Sequence, residues 1–160
     1  MHFSINIAKM KYYGQYEQDK YLDKLFKRKE NGTFVDIGAH DGVTFSNSYF
    51  FETQRNWKGV CIEPIPAIFK KLSNSRNCIK INGCISEKTG TEKFLRVKGE
   101  FVDTEMLSGL VKDYDERHLK RIDREIKEYG GSKEEIEVKC LNINNILKEN
   151  KINKINFFTI

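Results

Sequence analysis

The segment Phe34-Val35-Asp36-Ile37-Gly38-Ala39-His40-Asp41-Gly42 holds the residue types from which a nucleoside-binding turn is made. A cofactor with a nucleoside and a charged tail needs close backbone approach at a strand-to-helix turn. Glycine permits that approach because it has no Cβ and tolerates positive φ. Gly38 and Gly42 supply this freedom at G-x-x-x-G spacing, with Asp36 two residues before the first of them. A dinucleotide site would show G-x-G-x-x-G, so the spacing argues for a cofactor without a pyrophosphate. Glu63, followed by Pro64, stands about 20 residues beyond the turn, the separation at which a strand-end carboxylate reaches both hydroxyls of a ribose. Each feature is common alone; together and in this order they point to cofactor binding rather than to a plain strand-turn-helix.

His40 invites a general-base reading, since imidazole titrates near neutrality. Within a cofactor turn, a role in backbone geometry or in a ligand contact is the stronger reading. Ser46 and Asn47 could meet a cofactor carboxylate at the start of the following helix, where free N–H groups favour an anion, or could serve only as caps. Cys61, Cys78, Cys84 and Cys140 form no CxxC pair and lie in apolar runs, as small buried thiols do. His2, His40 and His118 are too scattered to make a metal site with them, so no metal is expected.

Around these residues the chain offers one domain, residues 1–160, long enough to bury roughly 70% of its unfolded surface. The net charge of +5 comes from 28 basic and 23 acidic residues with the signs interspersed, the pattern of a solvated surface, which disfavours nucleic acid as a partner. Residues 1–10 lack the apolar run of a secretory signal and no stretch is long enough to span a bilayer, so the expectation is a cytoplasmic protein with no membrane partner.

The elements that must position the turn follow from periodicity. Residues 1–31 form a lead-in, with a helix over 15–27 ended by Asn31-Gly32, and residues 32–160 form the cofactor-binding core. Thr33 to Ile37 reads as a buried strand. Phe45, Tyr49 and Phe50 mark a helix capped by Thr44 or Ser46, and Gly59 to Ile62 is a second strand, stopped by Glu63-Pro64. A helix with Ile68, Phe69 and Leu72 leads to a third strand over 78–81. This βαβαβ order predicts an α/β, Rossmann-like, doubly wound and mostly parallel sheet. Residues 92–98 read as a strand, 103–109 as a loop, 113–129 as a charged helix ending at Gly130-Gly131, 136–141 as a strand, 143–148 as a short helix and 155–160 as a last strand. The charged helix is either a substrate lid or a solvated face. Phe45, Phe50, Phe51 and Trp57 are assigned to the core.

The motifs FVDIGAHDG, FSNSYFFE, WKGVCIEP and NGCIS, in that order, resemble the FkbM family of methyltransferases, as do GQYEQDKYL, MLSGL and YDERHLKRI. The resemblance implies a class I enzyme that uses S-adenosyl-L-methionine and methylates hydroxyl groups of sugars and other small molecules, so that the partner is a small-molecule or glycan acceptor. It implies that Asp36 holds the cofactor's amino group, that Gly38, Ala39, His40, Asp41 and Gly42 wrap its methionine portion, and that Glu63, with Pro64, takes the ribose. Ile85 and Ser86 would lie near the adenine, although Gly83-Cys84 stands where small apolar residues are usual. Gln18 and Asp19 match a polar pair of the lead-in that closes over the methionine tail, unless they are an exposed helix face. In the family, the acidic residues nearest the acceptor follow the strand read here as INFFTI, so no catalytic base is named. The expectation is a sheet incomplete at its C-terminal end, its apolar edge open to self-association, and two further readings stay open: a cofactor-binding fragment inactive by itself, and a nucleic-acid methyltransferase.

Overall fold

The computed structural model describes residues 10–160, so His2 and the rest of residues 1–9, where a secretory signal was sought, lie outside the described residues. Four strands form a parallel sheet in the order β3-β2-β1-β8: β1 (Thr33–Ile37), β2 (Lys58–Glu63), β3 (Ile79–Asn82) and β8 (Phe157–Thr159). The two central strands are buried on both faces, which is why they read as nearly unbroken apolar runs. Alternate residues supply the two layers. Phe34 and Cys61 face Phe50, Phe51, Trp57 and Leu72, whereas Val35, Val60 and Ile62 face Ile146.

The crossovers follow the expected order. α2 (Tyr49–Arg55) joins β1 to β2, and α3 (Pro66–Ser75) joins β2 to β3 with proline in its first turn, where the missing N–H costs nothing. α6 (Ile143–Glu149) precedes β8 and starts at Asn142, whose side chain accepts the Asn144 N–H at 2.9 Å. The lead-in helix α1 (Gln18–Leu25) is fixed to α2 by a buried pair in which Arg55 Nε and Nη2 donate to the two oxygens of Asp23 at 2.7 and 2.8 Å.

A second, mixed sheet in the order β4-β7-β5-β6 stands beside the first. Its spine is the antiparallel pair β5 (Gly90–Gly99) and β7 (Gly131–Leu141), in register from Gly90↔Cys140 to Gly99↔Gly131. β4 (Cys84–Ile85) pairs with β7 and β6 (Gly109–Leu110) with β5. Between β5 and β7 lie α4 (Val102–Glu105), a 3-10 turn at Val111–Asp113 and α5 (Glu116–Tyr129). The fold is thus α/β and Rossmann-like, with an added sheet that strand patterns alone did not separate.

Three local expectations need correction. Residues 103–109 are not a plain loop: they include the end of α4 and the start of β6, because Leu107 packs with Leu95, Val97 and Ile122, contacts distant in sequence that local patterns do not show. The helix after the turn begins only at Tyr49, and Thr44 does not cap it, since its hydroxyl donates to Asp41 Oδ2 at 2.7 Å. Ser46 does serve the first turn, its Oγ accepting the Tyr49 N–H at 3.1 Å. Asp19 is no exposed helix face: it is fully buried and accepts the Tyr13 N–H at 2.6 Å.

Candidate functional site

The carboxyl ends of β1, β4 and β8 and the near edge of the second sheet enclose a cleft of about 570 Å³. The glycine turn lies in its floor. Gly38 has φ 73° and nothing within 4 Å of where a Cβ would stand, so its missing side chain leaves open space over the cleft. Gly42, at φ 84°, is closed in, and a Cβ there would meet Arg76, Leu72 and Ser75 at 2.6 to 2.7 Å. The first glycine keeps the cleft clear and the second lets the turn pack on α3.

Of the residues chosen from sequence, Asp36, Gly38, Ala39, His40, Pro64 and Ile85 line this cleft. Asp41, Gly42 and Glu63 support it from behind, and Ser86 lines an adjoining cavity shared with Ile85. Glu63 is buried at the end of β2, where Oε2 accepts the His40 N–H at 3.0 Å and Oε1 the Ile65 N–H at 2.9 Å. Burial pushes its carboxyl above the ordinary range, and those two amides only partly counter the effect. Each oxygen retains a further lone pair. Gln15, Gln18 and Asn47 also reach the cleft, whereas no residue of α5 does. Phe45, expected in the core, is half-buried at the cleft wall with φ 56°.

A buried polar chain that sequence reading missed runs behind the turn. Ser48 Oγ donates to Asp36 Oδ2, Arg76 Nη2 donates to Ser48 Oγ at 2.9 Å, Arg76 Nη1 donates to the Gly42 carbonyl at 2.9 Å, and Arg76 Nε pairs with Glu52. Burial raises the Asp36 carboxyl, countered by Ser48 and by the Arg76 charge. Arg76 stands after a helix in a run of polar residues, and nothing in its local sequence marks it as buried.

His40 takes the left-handed conformation, φ 50°, and its ring is mostly buried with Nε2 3.1 Å from Glu105 Oε2. Asp41 Oδ1 lies 3.8 Å from Nδ1, beyond hydrogen-bond distance, so it acts there as a nearby charge. The Asp41 contact raises the ring's pKa, burial opposes it, and Glu105 and Glu63 add to the rise. Burial works against ionised Asp41 too, yet His40, the Thr44 hydroxyl and the amides of Val43 and Thr44 hold it well below the ordinary carboxylate range. Among the described residues two buried side-chain atoms lack a hydrogen-bond partner, His40 Nδ1 and Asn47 Oδ1, and both residues line this cleft. No group of three or more His, Cys, Asp or Glu among the described residues is placed to hold a metal ion.

A parallel sheet with a glycine turn at the carboxyl end of its first strand and an acid at the end of its second is the architecture of a nucleoside-cofactor domain. The family model of the methyltransferase FkbM domain matches residues 36–160, beginning at the buried aspartate near the end of β1. The chain belongs to this family of methyltransferases. No curated protein and no solved structure matches it. Among the described residues no helix is long and apolar enough to cross a membrane.

Proposed function

We propose that this methyltransferase uses S-adenosyl-L-methionine and acts on a hydroxyl group of a small molecule or glycan. The observation that carries the cofactor is the open Gly38 at the end of β1, in a cleft also lined by His40 and Asn47, residues that each hold a buried polar atom without a partner. A nucleoside with an amino-acid tail fits a cleft lined by the polar side chains of Asn47 and His40. Asp36 would hold the amino group directly or through water, the Gly38–Gly42 backbone the methionine portion, and the remaining lone pairs of Glu63 the ribose hydroxyls. Pro64 and Ile85 would flank the adenine, with Ser86 at its edge.

When bound, the cofactor supplies a methyl group on a sulfonium, activated for in-line substitution. The protein's contribution is then chiefly positioning. Burial pushes the Cys84 thiol at the cleft up to about 11, so it is not the thiolate that covalent catalysis needs. The aromatic side chains Phe50, Phe51 and Trp57 are buried and offer no face for base stacking, and the interspersed charges disfavour a nucleic-acid acceptor. Calorimetric titration with S-adenosyl-L-methionine and S-adenosylhomocysteine tests the cofactor assignment. The expected result is binding of both, and tighter binding of NAD than of either would overturn it.

A further inference from the structure

His40 is tied to two elements at once. Its N–H is held by Glu63 at the end of β2, and its ring Nε2 meets Glu105, the last residue of α4, at 3.1 Å. The residues that follow Glu105, among them Met106, Ser108 and Gly109, form the cleft wall opposite the turn. Among the described residues, the His40–Glu105 contact is the single side-chain hydrogen bond the structure shows between residues 38–42 and the α4–β6 segment. The rest of that segment is anchored within the second sheet: the Ser108 hydroxyl donates to the Glu105 carbonyl at 2.7 Å and accepts the Val97 N–H at 2.9 Å.

The charges around the ring are of one sign. Asp41 on the turn, Glu63 from β2 and Glu105 from α4 all act on it, and among the described residues no Lys or Arg makes an ion pair with any of the three. Among the described residues, His40 is therefore the basic side chain that this acidic cluster surrounds.

We propose that His40 is a positioning residue which, as an imidazolium, fastens the α4–β6 segment to the cofactor turn, so that the closure of this cleft wall depends on pH. The fastening stands independently of which ligand the cleft takes. Its sign follows from the neighbours. A ring whose folded-state pKa is raised contributes in full below the ordinary imidazole value of about 6.5 and loses its contribution as pH climbs through the raised folded value.

Hydrogen–deuterium exchange of residues 102–110, normalised to unstructured-peptide rates at each pH, tests it on the wild-type chain alone. Protection at pH about 6 should fall about tenfold by pH about 9, while β1 and β2 stay protected. Glu105→Gln should give the weakly protected segment at both pH values. His40→Asn should do the same, because asparagine keeps the left-handed backbone but loses the charge and the reach. By nuclear magnetic resonance, the His40 ring should titrate at lower pH in Glu105→Gln than in the wild type. Equal protection of the wild type at both pH values, or an unchanged ring titration in Glu105→Gln, would overturn the proposal. Failure of S-adenosylhomocysteine to bind the wild type at either pH would instead count against the cofactor assignment, since the exchange measurement involves no ligand.

Discussion

The two ends of the parallel sheet hold cavities of opposite character. At the amino ends of β1 and β2 lies the larger one, about 780 Å³, lined by Thr33, Trp57, Lys58, Cys78 and residues 150–154. Its buried polar groups are paired: Trp57 Nε1 donates to the Lys29 carbonyl at 2.8 Å, and Glu52 accepts the N–H groups of Asn77 and Cys78 at 2.7 and 2.9 Å. The cleft at the carboxyl ends is smaller, yet it is lined by the open glycine and by both residues that hold an unpartnered buried atom. On the proposed assignment, volume is the wrong marker of function. What distinguishes the proposed site is unpaired polar groups and an open glycine at the strand ends where α/β sheets bind ligands.

One chain of contacts spans both ends, because Glu52 borders the larger cavity while its partner Arg76 reaches Ser48 and Gly42 behind the turn. Cutting it should give the largest effect. Arg76→Met keeps the aliphatic stem but leaves Glu52 buried without its cation, a loss of about 3 to 5 kcal/mol for a broken buried pair. Urea unfolding measures this, and a loss under about 1 kcal/mol would show that water replaces the guanidinium and that the two ends are uncoupled.

The two glycines sharpen the contrast within the cleft itself. Gly42→Ala meets both a positive φ and filled space, so it should destabilise the fold by about 2 kcal/mol or more. Gly38→Ala meets the strain of positive φ but no neighbour, so its cost to stability should be the smaller and its effect on S-adenosylhomocysteine affinity the more telling. If Gly38→Ala unfolds the chain more readily than Gly42→Ala, the division between a ligand-side and a packing glycine is wrong.

Glu63→Gln comes next. The amide keeps the size and one acceptor for the His40 or Ile65 N–H while removing the charge. S-adenosylhomocysteine affinity should fall about tenfold, the loss expected for a charge-assisted hydrogen bond. Unchanged affinity in a folded variant would confine Glu63 to supporting the turn.

How much of this was legible in sequence differs between the two sheets. The parallel sheet was readable because Phe34-Val35 and Val60-Cys61-Ile62 are buried on both faces and glycine and proline punctuate their ends. The second sheet was not separable, because β5 and β7 pair across a long excursion and are exposed over much of their length, so their patterns name strands but not partners. In the site, Gly38, Gly42 and Glu63 were visible from spacing. Arg76, Ser48 and Glu105 were not, since each gains its meaning from a residue 20 or more positions away in sequence or on another element. Phe45 was assigned by hydrophobicity, and its left-handed backbone at the cleft wall has no sequence signature.

The smallest effect should come from the larger cavity, and it is the cleanest test of the comparison. Lys154 is exposed at the rim of that cavity, at the far end of the sheet from the glycine turn. Lys154→Ala removes a solvated charge, and such surface changes stay within about 0.5 kcal/mol in stability. Its influence on a ligand at the carboxyl ends is screened, because the Debye length at physiological salt is about 8 Å. S-adenosylhomocysteine affinity at that ionic strength should therefore stay within about twofold of the wild type. A tenfold loss in calorimetry, with the urea midpoint unchanged, would mean that the ligand sits among Trp57, Lys58 and Lys154. It would also mean that the unpartnered atoms beside the glycine turn mark something other than the cofactor.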